Sequence, residues 1–321
     1  MNVGLYFDLR NPPEWAMNPS RVYGFTLEMC EEADRLGVDS LWFSEHHLFE
    51  DGYLTQPLTF AAAAAARTRA ARLGTAVVIA PFHQPVRLAE EAAVVDLISG
   101  GRLDLGLGAG YRVPEFQLYD VDMSARYTST DNMARELRRI WSEGRLTPAP
   151  AQQRIPIWLG YGGPKGARRA GVLGEGLLSI ELELLEPYRQ GLAESGHGPT
   201  HERMAGGVNG WVTDDPERDW PVVAKHLRYQ LDSYRRYMVE GTDRPIPRPV
   251  DPDLIRQRGK TFLNPFFYGT AEHVAARIRE QYGNTPVETL FLWASIAGMS
   301  EAMMAQHVQT VCTKLAPLLR T

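Results

Sequence analysis

The chain has 321 residues, with 34 Lys and Arg against 39 Asp and Glu, giving a formal net charge of -5. This mild acidity, with no long basic run, argues against a nucleic-acid partner. Arg67, Arg69 and Arg72 interrupt the longest apolar stretch, so no membrane helix is expected.

The opening MNVGLYFDLR lacks the basic-then-apolar layout of a secretory signal and reads as a first strand. The only cysteines, Cys30 and Cys312, each fall in a helical pattern, which argues against a disulfide framework and a structural zinc site. A soluble, cytoplasmic, globular protein is expected. A helix over 19–36 stops at Gly37. DSLWFS is the second strand, and the Ala-rich helix over 55–69 has Thr55 as its expected cap. The β-branched run RLGTAVVIAP is a third strand. A helix opened by Pro85 and closed by Gly100 and Gly101 leads to a fourth, RLDLGLGAG. A helix over 129–142 precedes the fifth strand, IPIWLGYGG. PKGARRAGVLG is helical, GLLSIEL a sixth strand and MAGGVNGWVT a seventh. A long helix over 216–239, an eighth strand VETLFLWA and a helix over 300–319 complete the pattern.

Eight strands alternating with helices predict parallel pairing with both faces covered. At this length that means a single α/β domain, a closed (β/α)8 TIM barrel. No strand-linked G-x-G-x-x-G near the start supports a dinucleotide-binding fold. The stretch 240–269 is too long and irregular for a plain loop and is expected to be an insertion over the barrel mouth.

In such barrels the site forms at the C-terminal ends of the strands. The second strand ends in Glu45-His46-His47, the third at His83, the fourth at Gly108, Gly110 and Tyr111, and the fifth at GYGGPKG. Neighbours on an extended chain point to opposite faces, so this Glu-His-His run does not readily bind one ion, and no metal is expected. An imidazole titrates near neutrality, which makes His46 a candidate acid/base with Glu45 to orient it. The plainer alternative is a cap or a buried hydrogen-bonding group. Gly160, Gly162 and Gly163 before a helix start, followed by Lys165, offer backbone N–H groups and a cation for a phosphate. A tight turn with a solvated lysine is the alternative.

Together these stretches resemble the bacterial luciferase-like, flavin-dependent monooxygenases. GVDSLWFSEHH, LGTAVVIAPFHQPVRLAEEAAVVDLISGGRLDLGLGAGY, the Glu115-Phe116 pair and YGTAEHVAARI carry the likeness, in that order over nearly the whole chain. The resemblance implies a dimeric barrel with an insertion, using reduced FMN supplied by a partner reductase, with O2, to oxygenate a small organic substrate. By position His46 matches the family's active-site histidine, and Ala76-Val77 a cis peptide under the flavin ring. Gly108, Gly110 and Tyr111 fall beside the cofactor, and Gly160 to Lys165 match the phosphate turn. Gly108 and Ala109 stand where light-emitting members have a cysteine and an arginine, Gly162 and Gly163 replace a Glu-Ser pair, and Glu181 falls near a flavin-neighbouring tryptophan. Light emission is therefore not implied, and the phosphate is expected to use backbone N–H groups, Lys165, and Arg112 or Arg168. Phe262, Phe266, Phe267 and Tyr268 are expected to close over the site, the alternative being ordinary packing. Hydride transfer with a deazaflavin coenzyme is the competing activity, and a flavin-binding protein without turnover is another. A homodimer is expected, since the helices over 60–66 and 89–98 carry small and apolar residues that allow close packing, the alternative being packing against the barrel itself.

Overall fold

Short apolar runs, each too small to bury itself, assemble here into one parallel sheet that closes on itself. The computed structural model describes residues 1–262 and 264–320. Its strands are β1 (Asn2–Phe7), β2 (Ser40–Phe43), β3 (Arg72–Thr75), β4 (Val78–Ile79) and β5 (Leu103–Gly108), then β6 (Ile157–Gly160), β7 (Gly176–Leu178), β8 (Met204–Val212), β9 (Phe266–Gly269) and β10 (Val287–Trp293). Because β10 pairs with both β1 and β8, the sheet has no free edge at that seam and forms the closed barrel expected from the alternation. Strands β2 and β5 are buried at every position, as strands covered on both faces must be. Alanines let helices approach closely: Ala61, Ala64 and Ala65 on the helix Pro57–Arg67, and Ala89, Ala92 and Ala93 on the helix Pro85–Ser99, are all buried.

Four expectations are corrected. The third strand is not continuous: a cis peptide at Ala76–Val77 separates β3, paired with β2 and β5, from β4, paired with β5. The cap of the helix Pro57–Arg67 is Gln56, without a side-chain hydrogen bond, and not Thr55. The stretch 240–269 is not wholly irregular. It contains a helix, Pro252–Arg258, and ends in β9, which adds to β8 in parallel with Asn209 opposite Phe266. Phe266, Phe267 and Tyr268 are buried within that strand, whereas Phe262 is exposed, so the aromatic cluster is mainly core rather than a cover. Two helices absent from the pattern reading, Leu185–Glu194 and Ala271–Tyr282, fill the outer layer after β7 and β9.

The barrel interior is plugged by aromatic rings facing glycines. Trp42 stacks on Phe291 with ring centroids 4.7 Å apart, and Trp158 joins the same cluster. A Cβ at Gly74 would lie 2.2 Å from the Trp42 ring, and one at Gly176 would lie 2.4 Å from Trp158, so only glycine fits opposite either indole. Tyr6, Ala76 and Leu178 pack on this plug and, with Phe291, line the cavity at the C-terminal end of the barrel.

Gly74→Ala is therefore expected to destabilise the fold by about 1–3 kcal/mol through overpacking. Gly24→Ala, in mid-helix where a Cβ meets nothing within 4 Å, is expected to be neutral or to stabilise by about 0.5–1 kcal/mol. Urea unfolding midpoints of the two variants check both signs.

Candidate functional site

At the C-terminal ends of the strands lies a cavity of about 330 Å³. Strand ends and the segments after them contribute Tyr6, Ala76, Val77, Gly160, Ser179 to Glu181 and Asn209. The loop after β2 contributes Tyr53, and the long helix Pro216–Tyr237 contributes Gln230, Leu231 and Tyr234. Asn264, just before β9, is the contribution of the expected insertion.

Close packing shapes one side of this space. Val77 sits against two strand ends where no side chain would fit: a Cβ at Gly108 would lie 2.3 Å from Val77 Cγ2, and one at Gly160 2.7 Å from Val77 Cγ1. Gly110 has a φ of 70°, and a Cβ there would meet Ile79 and Phe116 at 2.9–3.0 Å. Gly108 and Gly110 thus make room for neighbours rather than touching the cavity themselves.

The Glu-His-His run divides as alternation predicts. Glu45 and His47 lie on one face: the buried Glu45 carboxylate accepts from the Ile79 N–H (2.7 Å) and pairs with His47 Nε2 (2.9 Å) and His83 Nε2 (3.1 Å). Burial pushes its pKa up, but these hydrogen bonds and the His83 charge outweigh it and hold the carboxyl below the ordinary range. His83 is burdened by burial too, yet its hydrogen bond to Glu45 raises it above the usual imidazole value.

His46 points the other way. Its backbone N–H is fixed on Leu54 O (2.9 Å). Nδ1 faces Glu115 Oε1 at 3.3 Å and Nε2 faces the Tyr234 hydroxyl at 3.3 Å. Tyr53 and Tyr234, both against the imidazole ring, line the cavity, and His46 stands behind them. The carboxylate that orients His46 is therefore Glu115 and not Glu45, because the pleat sends the Glu45 side chain to the opposite face.

Glu115 is fully buried. Besides His46 it accepts from the His47 N–H (2.9 Å) and from Arg112 Nη1 (3.2 Å), while its Oε2 has no partner. Burial raises its pKa, but His46, the His47 N–H and Arg112 together hold it low. Tyr6, Tyr53, Tyr111 and Tyr234 are pushed up, chiefly by burial, and stay protonated phenols. The Tyr111 hydroxyl is buried toward Tyr234, its ring beside His46 and Tyr234.

The helix Gly163–Leu173 starts at the cavity edge. Gly162, its N-cap, offers no side-chain hydrogen bond, so the first-turn N–H groups are free for an anion. Lys165 is exposed there, with no ion pair among the described residues. Neither arginine considered for the phosphate is free. Arg112 is committed to His47 O, Glu115 and Glu240 (2.5 Å) and lies over the rings of Phe49 and Tyr237, and Arg168 pairs with Glu194 at 2.7 Å. Glu181 lines the cavity, its carboxyl raised first by burial and then by Glu183. Among the described residues no group of three or more His, Cys, Asp or Glu side chains is placed to hold a metal ion.

Of the residues reached by sequence reasoning, Ala76, Val77, Gly160 and Gly162 meet at the cavity, while His46 reaches it through Tyr234. The strand-end rule also leads to Tyr6, near the end of β1. Tyr234 lies on an outer helix with no local signal, and Glu115 was noted only as part of a Glu-Phe spacing.

Residues 1–289 match the family described as luciferase-like monooxygenase. The oxygenase component of a flavin-dependent trigonelline monooxygenase from Acinetobacter baylyi is 33% identical over 157 residues. That match covers 43% of this chain and 43% of the relative, so it spans less than half of that protein. An F420-dependent glucose-6-phosphate dehydrogenase from Amycolatopsis mediterranei is 26% identical over 183 residues, 50% of this chain and 55% of that one. The crystal structure of monooxygenase RslO1 from Streptomyces bottropensis has a TM-score of 0.81 at 25% identity, covering 99% of each chain.

The Glu45–His83 pair sets a pH signature. Glu45 titrates lower when folded than when unfolded (about 4.3), so its contribution is present above that value and lost as pH falls through the folded pKa. His83, raised above about 6.5, contributes below that value and loses its contribution as pH rises through the folded pKa. Glu45→Gln is expected to flatten both limbs, measured as urea stability from acid to mildly alkaline pH.

Proposed function

This chain belongs to the luciferase-like monooxygenase family, and from that premise we propose that it is a flavin-dependent monooxygenase using reduced FMN and O2 to oxygenate a small organic substrate. The observation that carries this reading is a single cavity joining a glycine-backed slot to an uncapped helix N-terminus and, through Tyr234, to a buried histidine. The residues present fit FMN. The Ala76–Val77 backbone, with Val77 held against Gly108 and Gly160, supports a flat ring. The backbone N–H groups of the N-cap Gly162 and the first helical residue Gly163, with Lys165, suit its phosphate. When bound, the reduced flavin supplies the two electrons needed to activate O2. His46 then acts as hydrogen-bond partner and proton carrier, held in place by Glu115, while the buried walls exclude bulk water.

The reduced cofactor is delivered by a partner reductase, which fits a chain whose sequence has no dinucleotide fingerprint. A homodimer covers Val86, Val94, Leu97 and Ile98, which leave an exposed apolar stripe on the helix Pro85–Ser99. A cytoplasmic location agrees with two buried free cysteines. Among the described residues no helix is long and apolar enough to cross a membrane. The competing reading, hydride transfer with a deazaflavin coenzyme, draws on the F420-dependent relative.

Anaerobic titration with reduced FMN and, in parallel, reduced F420 tests the choice. Tighter binding of reduced FMN, followed by reaction with O2, is expected, whereas preference for F420 with no reaction toward O2 overturns the proposal. Lys165→Ala should weaken FMN roughly fivefold, the scale of a ~1 kcal/mol charge contact at a helix terminus. His46→Asn should leave FMN affinity intact and slow turnover by about 10²–10⁴.

A further inference from the structure

The hydrogen bonds around His46 have a direction. The buried Glu115 carboxylate, held in its charged form, can only accept, so the tautomer of His46 that fits it carries the proton on Nδ1 and offers Nε2 as an acceptor. The Tyr234 hydroxyl, 3.3 Å from Nε2, must then donate to it. A second chain runs beside it. The Tyr6 hydroxyl donates to Ser44 Oγ at 2.6 Å, so in the 2.6 Å contact between Tyr6 and Tyr53 the donor is Tyr53. Both phenols that stand between His46 and the cavity have thus turned their protons away from it. What Tyr53 and Tyr234 leave for a ligand is oxygen lone pairs.

Charge narrows the ligand further. Among the described residues no Lys or Arg lines the cavity, and Glu181 is its only carboxylate. Arg10, 5.4 Å from the Tyr53 ring, is already paired with Asp51 at 2.6 Å and bonded to Ser233 Oγ. Away from the helix start that carries Lys165, an anion would meet no free cation, whereas an uncharged hydroxyl would meet an acceptor at Tyr234 or Tyr53. Phe291 and Trp293 add flat apolar surface to the same cavity.

We propose that the substrate enters as an uncharged compound bearing a phenolic or enolic hydroxyl, which donates to Tyr234 beside Tyr53 and loses its proton through Tyr234 to His46. The inference rests on the monooxygenase reading of the same cavity and names its substrate class. The transfer is balanced. The substrate O–H bond breaks and its proton goes to the Tyr234 oxygen, as the Tyr234 proton goes to His46 Nε2. The products are a substrate oxyanion and an imidazolium facing the Glu115 carboxylate. Tyr234 ends with one proton, as it began. Glu115 is a positioning residue, setting the tautomer and stabilising the imidazolium. An ionised phenol or enol is electron-rich at the carbon beside the C–O bond, which suits it to an electrophilic oxygen donor.

The test uses the full chain without O2 and two probe pairs: 2-naphthol with 2-methoxynaphthalene, and a hydroxynaphthoquinone with its methyl ether. At a pH where free naphthol is neutral, 2-naphthol is expected to bind about tenfold more tightly than its ether and to show the absorbance of the ionised form. Tyr234→Phe keeps the ring and should lose both the preference and the ionised band. Tyr53→Phe should lower the preference by a smaller factor. Glu115→Gln should keep the preference and lose the band, which a merely structural role would not separate. Unchanged melting temperatures for the two phenylalanine variants would show that the losses are local. If neither hydroxylated probe binds more tightly than its ether, or if the preference survives in Tyr234→Phe, the inference is overturned. If the band survives in Glu115→Gln, the proton route is overturned. Quenching of FMN fluorescence is read separately. FMN binding without hydroxyl preference removes the substrate class and leaves the flavin reading. Hydroxyl preference without FMN binding does the reverse.

Discussion

A carboxylate taken wholly out of water must be surrounded by donors, and Glu115 meets that demand with three groups from two different segments: the His46 imidazole, the His47 N–H and the Arg112 guanidinium. Meeting it draws the helix Val113–Leu118 and the loop after β2 together across the barrel mouth. Arg112, buried in turn, needs its own partners. It takes His47 O and Glu240 and lies over the rings of Phe49 and Tyr237, which fastens the end of the long helix to the same point. Tyr234 sits one turn before that anchor. Its distance from His46 follows from the burial of a carboxylate that touches neither the cavity nor Tyr234.

The opposite face of the same short run does different work. Glu45 is held by the Ile79 N–H, His47 and His83, which ties the end of β2 to β4 and the turn after it. A pleated chain thus separates two networks. One builds the rim on which the Ala76–Val77 segment rests, and the other faces the reacting space. The aromatic plug of Trp42, Trp158 and Phe291 sets the depth of that space, since the glycines facing the indoles leave no room for the rings to move.

The cavity that results is polar without free positive charge on its wall. Its phenols are kept protonated by burial, and its cationic neighbours are each matched to a carboxylate. In the proposed reading the flavin phosphate relies on backbone N–H groups and Lys165, in a chain that has no arginine at position 109 and has glycine at 162 and 163. Arg112 and Arg168 are spoken for by Glu115, Glu240 and Glu194, and do not replace the missing cation.

The sequence by itself determined the periodic features. Alternating apolar runs required a covered parallel barrel, strand ends pointed to His46, and the pleat separated Glu45 and His47 from His46. The Gly-Gly run marked a helix start without a side-chain cap. These features are local, and period 2, period 3.6 and the freedom of glycine act within a few residues. Tertiary structure alone decided which carboxylate serves the histidine, because Glu115 and His46 are 69 positions apart. It also brought in Tyr234 from 188 positions away and turned part of the expected insertion into β9. The direction of the hydrogen bonds belongs there too, since a hydroxyl gives its proton to whichever acceptor the fold brings near. No pattern in neighbouring residues encodes such a choice, because it depends on what must be satisfied once water has been removed.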